Sequence, residues 1–83
     1  MFTYAVLALA PQARYRPRLL SSHLDQFGAY ASFRAAPPPA AVVRLGVDDP
    51  ADFTVLAATG LDPDDLRGDP RFAAAVRKAV RGK

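Results

Sequence analysis

An apolar, β-rich run occupies residues 2–9, with the sequence FTYAVLAL. Thr3 and Tyr4 are residue types that suit a pleated, half-buried surface, and Pro11 ends the run. No basic region precedes the run, and about ten residues are too few for the regions of a secretory signal peptide. We therefore expect a buried first strand rather than a cleaved leader.

The length and composition favour one small folded domain, 1–83. The chain has 83 residues, of which 51% are hydrophobic, so it is too short for two cores and too apolar for a disordered chain. The absence of cysteine excludes disulfide scaffolds and thiolate metal sites. No apolar run reaches the roughly 20 residues of a membrane helix. We expect a cytoplasmic protein without metal or cofactor, and the abundance of alanine and arginine is typical of a GC-rich, bacterial genome.

A helix is predicted to begin near Pro17, because proline suits the first turn of a helix. Gly28 is well placed to end it in the left-handed conformation. On a helical wheel, one arc of roughly 140° collects the apolar residues and the only histidine. Its members are Leu19, Leu20, His23, Leu24 and Phe27.

After Gly28 the spacing of apolar residues changes from that of a helix to the alternation of a strand. Polar and apolar residues alternate over 29–36, which predicts a half-exposed strand, and residues 41–47 form a second β candidate. The prolines at 37–39 separate the two strands with a stiff connection.

All eight acidic residues are aspartate, a residue type that favours helix caps and turns. Asp49, Asp62 and Asp69 each precede a proline, which is a helix-start signal. They predict a helix from Pro50 that ends at Gly60, a short helical turn within 61–67, and a final amphipathic helix from Pro70. The β-branched residues of 53–58 also permit a strand there, but we favour the helix.

The predicted element order is β-α-β-β-α-α. This order favours an α+β fold, a small two-layer sandwich that is ferredoxin-like or a truncated variant of it. A three-stranded sheet has open edges, which favour dimerisation.

Three scattered fragments resemble parts of one known family. The opening MFTYAVLAL, the dipeptide His23-Leu24 and the tetrapeptide 69–72, DPRF, resemble the small YCII-like proteins of ferredoxin fold. A helix is predicted where that family has its final strand, so the resemblance implies a fold and carries over no activity or residue role.

The charge is divided into blocks. Residues 1–46 carry a net charge of +4, residues 47–69 carry −6, and residues 70–83 carry +5. One interpretation is that the acidic block neutralises a basic one. The alternative is that a basic face stays available to an anionic partner.

Two basic groups are candidate anion sites. Arg14, Arg16 and Arg18, with Ser21, precede or enter the first predicted helix, whose N-terminal N–H groups and dipole favour a phosphate or carboxylate. The last helix carries Arg77, Lys78 and Arg81 on its polar side, where they could contact a nucleic-acid backbone. A solvated surface is the competing interpretation of both groups.

No credible catalytic pair is evident. His23 falls on the apolar arc and is two residues from Asp25, a spacing that separates the side chains on a helix. An enzyme that uses His23 is therefore the weakest hypothesis. The leading hypothesis is a non-catalytic binding or accessory protein that acts through protein association, as a homodimer or with a protein partner. The alternative is an anion or nucleic-acid binder that uses residues 14–18 and the basic C-terminal helix.

Overall fold

The computed structural model describes residues 2–10, 13–47 and 52–81. Over these residues the order is β-β-α-β-β-α-α, with the strands and helices β1 (Phe2–Ala10), β2 (Ala13–His23), α1 (Gln26–Ala35), β3 (Ala40–Gly46), β4 (Phe53–Thr59), α2 (Pro63–Arg67) and α3 (Pro70–Arg81). The strands form one antiparallel sheet in the order β2-β1-β3-β4. The predicted α+β class is confirmed, whereas the element order differs from the predicted one and the ferredoxin-like arrangement is not confirmed.

The apolar run of residues 2–9 is an inner strand, as expected, and alternate residues of it face two different cores. Ala5, Leu7 and Leu9 pack with residues of α2 and α3, while Val6 packs with residues of α1. The sheet therefore has helices on both faces, so the predicted two-layer sandwich is wrong. A continuous apolar run, instead of a clean alternation, is the pattern expected of a strand buried on both faces.

The α3 side of the sheet holds the larger core. Leu66 of α2 and Phe72 and Val76 of α3 are buried against the sheet, and the ring of Phe72 meets that of Phe53 edge-on at 6.2 Å between centroids. On the opposite side, Ala29 and Phe33 of α1 form a smaller core with β1 and β3.

The helix predicted from Pro17 is wrong, because residues 13–23 form β2. This strand pairs with β1 from Ala10↔Ala13 to Tyr4↔His23. β2 lies at the edge of the sheet, where one side of a strand has no partner, so the missing N–H of Pro17 is tolerated. The helical arc in the sequence was coincidental.

The strand predicted over 29–36 is also wrong, because these residues lie mostly in α1. Asp25 is the N-cap of this helix, and its carboxylate accepts a hydrogen bond from the N–H of Gly28 at 2.8 Å. Ala29 and Phe33 are four residues apart and face the sheet together. The alternation in the sequence was thus also compatible with a helix that buries only a narrow stripe.

The favoured helix over 50–60 is wrong as well, and the alternative strand is present as β4. Val55 is buried in the larger core, and the β3–β4 register shifts between Val42 and Val43. Tertiary pairing with β3 therefore outweighs the helix-start signal at Asp49 and Pro50, which lie outside the described residues. Gly60 follows β4 with a φ of +78°, so its predicted left-handed conformation is present after a strand instead of a helix.

The two C-terminal helices agree with the prediction. Asp62 caps α2, because its carboxylate accepts from the N–H of Asp64 at 2.9 Å. Asp69 does the same for α3, accepting from the N–H of Arg71 at 3.0 Å. With Asp25, each helix in the described ranges begins at an aspartate cap. The predicted helix starts at Asp62 and Asp69 are present, whereas residues 53–59, within the helix predicted from Pro50, form β4.

None of the helices within the described ranges has the length and apolar character needed to cross a membrane.

Candidate functional site

The arginines of 14–18 lie on β2 and not before a helix. Arg16 and Arg18 are exposed, whereas the side chain of Arg14 lies outside the described part of the structure. The contribution of a helix N-terminus to the predicted anion site is therefore removed, since the next helix begins at Gln26 behind the cap of Asp25. Anion binding by Arg16 and Arg18, which lie on an edge strand, stays a prediction.

Ser21 and His23 form a local polar pair on β2. The Oγ of Ser21 lies 2.9 Å from the Nε2 of His23, because residues two apart on a strand face the same side. A nucleophilic serine needs a base that is itself oriented by a third group. Asp25 accepts from the N–H of Gly28 through Oδ1, and the described residues show no hydrogen bond or ion pair between Asp25 and His23. The pair accounts for the polar groups at the end of β2 and does not form a catalytic triad. Sequence reasoning placed these residues on a helix and so missed the contact.

Exposed apolar side chains concentrate in the segment that runs from the edge strand β2 into α1. Leu20 is 39% exposed, Leu24 is 81% exposed and Phe27 is 88% exposed. These three residues, called the β2 apolar patch below, lie at the end of the edge strand, in the turn that follows, and at the start of α1. Water-exposed aromatic and leucine side chains grouped in this way are typical of interaction surfaces.

The basic residues of α3 converge on an open groove at one end of the sheet. The groove has a volume of about 390 Å³, and we call it the α3 groove. Its lining comes from β1, from β3 and the residue after it, and from the last turns of α3: Thr3, Leu45, Gly46, Val47, Arg77, Val80 and Arg81. A second depression along α3 shares Arg77 and Arg81 and adds Lys78. The structure thus brings together the three α3 residues that the sequence predicted as a basic contact surface.

Arg77 is the best positioned of these cations. Its guanidinium carbon lies 6.0 Å from the centroid of the Phe53 ring, at the outer limit of a cation–π contact. Its Nε is buried and has no hydrogen-bond partner within the described part of the chain. The Phe53 ring therefore helps to hold Arg77 beside the groove while its charge stays uncompensated by described carboxylates.

The acidic middle block compensates other arginines. Asp64 pairs with Arg67 at 2.6 Å, and Asp52 approaches Arg44 at 4.0 Å. Over residues 2–10, 13–47 and 52–81, the ion pairs do not include Arg77, Lys78 or Arg81. Of the basic block 1–46, Arg44 is thus the residue to which the neutralisation by the acidic block applies within the described chain. Asp48 and Asp49 of the acidic block lie outside the described residues.

The two predicted basic groups do not form one surface. Arg18 pairs with Ala8, which alternates with the residues that face α3, so Arg18 lies on the α1 side of the sheet. Arg77 and Arg81 lie on α3, on the opposite side. A single ligand spanning both groups would have to wrap around the edge strand.

Arg44 is a cation that sequence reasoning missed. It stacks on the ring of Phe2, with its guanidinium carbon 4.4 Å from the ring centroid, and its buried Nε has no described partner. A lone charged residue inside the apolar run of β3 was the available signal. Arg44 faces away from the α3 groove, because its neighbours Val43 and Leu45 belong to the α3-side core.

A metal site is not evident. Within the described ranges, no group of three or more histidine, cysteine, aspartate or glutamate side chains could hold a metal ion.

Comparison with known proteins yields no matching family model, no similar curated protein and no similar solved structure.

Proposed function

We propose that this chain is a non-catalytic binding protein that forms a homodimer through the free edge of β2 and the β2 apolar patch. One observation carries the proposal. Of the four large hydrophobic side chains exposed in the described part of the chain, three lie between Leu20 and Phe27, beside an edge strand. Its cellular setting is expected to be the cytoplasm, as the lack of cysteine suggests.

The apolar patch supplies a driving force of suitable size. Burial of a leucine or phenylalanine side chain contributes about 1.5–3 kcal/mol. A twofold interface uses the same patch from both copies, so the total is on the order of 10 kcal/mol. This lies within the roughly 4–15 kcal/mol that association costs in lost freedom of motion, so further hydrogen bonds from the strand edges are needed for a stable dimer.

Strand pairing is compatible with the charges on β2. An antiparallel pairing centred on Leu20, the residue that the β1–β2 register skips, opposes Arg18 to Ser22 of the second copy, whereas Arg16 falls opposite Leu24, beyond the end of β2. Like charges then do not face each other across the strands, a contact that would be destabilising. A second copy of the chain would therefore bury the β2 apolar patch and supply hydrogen-bond partners to the open edge of β2.

Light scattering coupled to size exclusion, from micromolar to millimolar protein, tests the proposal. The wild-type chain is expected to dimerise, and the double variant Leu24→Ser/Phe27→Ser is expected to be monomeric and folded, since both side chains are exposed. Val47→Ser is the matched control, because Val47 is 55% exposed but lies in the α3 groove. A wild-type monomer at millimolar concentration, or a dimer that the double variant leaves intact, would contradict the proposal.

A second candidate function is anion or nucleic-acid binding at the basic end of α3. The observation that favours it is the convergence of Arg77, Lys78 and Arg81 without described carboxylate partners. Binding of single-stranded and duplex oligonucleotides at rising salt tests the nucleic-acid form, because phosphate contacts weaken as counterions compete. Arg16 and Arg18 form a separate basic strip, so their replacement tests whether both faces take part.

A further inference from the structure

The α3 groove combines an apolar floor with two cations. Leu45, Val47 and Val80 supply aliphatic side chains, and Arg77 and Arg81 supply positive charge beside them. Val47 is the one exposed large hydrophobic residue of the described chain that lies outside the β2 apolar patch. The groove therefore offers an apolar contact and a charged contact to the same ligand.

The charges in the groove are mutually unfavourable in the absence of an anion. Arg77 and Arg81 are four residues apart, so they are neighbours on one side of α3 and repel each other. The helix C-terminus offsets part of this repulsion, because its dipole favours cations. A bound anion would offset it further, and its attraction would be strengthened by the apolar surroundings.

We propose that the α3 groove binds a small organic carboxylate whose apolar body lies against Leu45, Val47 and Val80. The inference rests on the second candidate function and specifies its ligand. Guanidinium groups match the geometry of a carboxylate, and the groove volume of about 390 Å³ lies in the lower part of the range of small-molecule sites. Thr3 adds a hydroxyl group to the lining.

Charge complementarity and size favour this ligand over a polyanion. A nucleic acid would use the arginine charges but leave the aliphatic floor without a matching group, since its backbone is polar. A carboxylate with a short hydrocarbon chain uses both kinds of contact. The second depression, beside Lys78, lies next to the groove and would remain solvated.

Titration with octanoate, followed by amide chemical shifts in NMR spectra, tests the proposal. The expected shifts are confined to the amides of Thr3, Gly46, Val47 and Val80. Octanol and acetate are the matched probes. Octanol keeps the hydrocarbon chain without the carboxylate, and acetate keeps the carboxylate without the chain. Both are expected to bind at least about tenfold more weakly than octanoate.

Two variants separate the groove from general charge. Arg81→Gln removes an exposed cation of the groove and is expected to weaken octanoate binding about tenfold. Arg34→Gln removes the same charge from the last turn of α1, on the other side of the sheet, and is expected to leave binding unchanged. Circular dichroism establishes that both variants are folded.

The results distinguish failure of the carboxylate proposal from failure of the anion-binding function. Absence of localised shifts with octanoate, or equal weakening by both variants, would overturn the carboxylate proposal. If an oligonucleotide shifts the same amides while octanoate does not, the carboxylate proposal fails and the anion-binding function stands. If neither octanoate nor the oligonucleotide shifts the amides of the groove, the carboxylate proposal and the anion-binding function both fail.

Discussion

The two edge strands of the sheet, β2 and β4, differ in what lies beside them. Both strands are packed against a helix, β4 against α2 and β2 against α3, but at β4 the Nε of Arg67 also donates to the carbonyl oxygen of Val55 at 3.0 Å. β2 is followed by exposed side chains, including Leu24 and Phe27. Edge strands are templates for pairing with another chain unless something covers or interrupts them. The difference supports the proposal that intermolecular pairing uses β2 and not β4.

The largest expected effect comes from loosening the cover of β4. Leu66 is 1% exposed and fixes α2 to the core, so Leu66→Ala should lower the free energy of unfolding by about 2–5 kcal/mol. Urea unfolding followed by circular dichroism measures this loss. Leu24→Ala is the matched control on the β2 side and should change stability by less than about 0.5 kcal/mol. Similar losses in both variants would mean that the two edges do not differ as described.

A smaller effect is expected at the turn between β4 and α2. Gly60 has a φ of +78°, and a Cβ added there would lie 2.9 Å from the Cβ of Pro39. Gly60→Ala should therefore destabilise the fold by about 1–3 kcal/mol. Gly68→Ala is the control, because its added Cβ would meet no atom closer than 3.8 Å. Thermal unfolding of the two variants tests the difference, and equal midpoints would refute the strain at Gly60.

The contact between Arg67 and β4 should contribute less still. Arg67→Met removes the hydrogen bond to Val55 and the exposed ion pair with Asp64 while keeping much of the side-chain volume, and should cost about 1 kcal/mol. It should also raise the tendency to aggregate on heating, since a main-chain acceptor of an edge strand is left open. Arg34→Met serves as the control for lost charge. Identical aggregation onset in the two variants would show that Arg67 does not protect the edge.

The smallest change in stability is expected on β2, together with a large change in association. Leu20→Lys places a charge on the half-exposed edge and should alter the free energy of unfolding by less than about 1 kcal/mol. It should abolish the proposed dimer, because the twofold pairing would bring two lysines together. Ala74→Lys, on the exposed side of α3, should leave the dimer intact. Sedimentation velocity distinguishes these results, and a dimer that survives Leu20→Lys would place the interface elsewhere.

The parts of the fold that were predicted correctly carry a strong local signal. Asp62-Pro63 and Asp69-Pro70 begin helices, and α3 combines such a start with an apolar stripe that faces the core. Arg77, Lys78 and Arg81 could be grouped in advance because they lie within two turns of that helix. Their groove could not be predicted, because Thr3 and Val47 join it from distant parts of the chain.

The wrong predictions concern residues whose pattern fits both the period of a helix and the period of a strand. Leu20, Leu24 and Phe27 matched the buried stripe of a helix, yet all three are exposed beside a strand and a turn. Asp25 was the overlooked signal, since an aspartate cap at that position moves the helix start to Gln26 and leaves 13–23 free to pair with β1. In β4, the partner strand β3 determined the structure of residues whose local preferences were divided.

The inner position of β1 also has a consequence for folding kinetics. β1 and β2 are neighbours in the chain, as are β3 and β4, so two of the three strand pairings are local. Only the pairing of β1 with β3, from Phe2↔Gly46 to Ala8↔Ala40, joins distant segments. The entropy lost on closing that long loop must be met before its contacts form, which slows folding. The seam between the two hairpins, where Val6 faces Val42, is therefore where the rate-limiting step is expected.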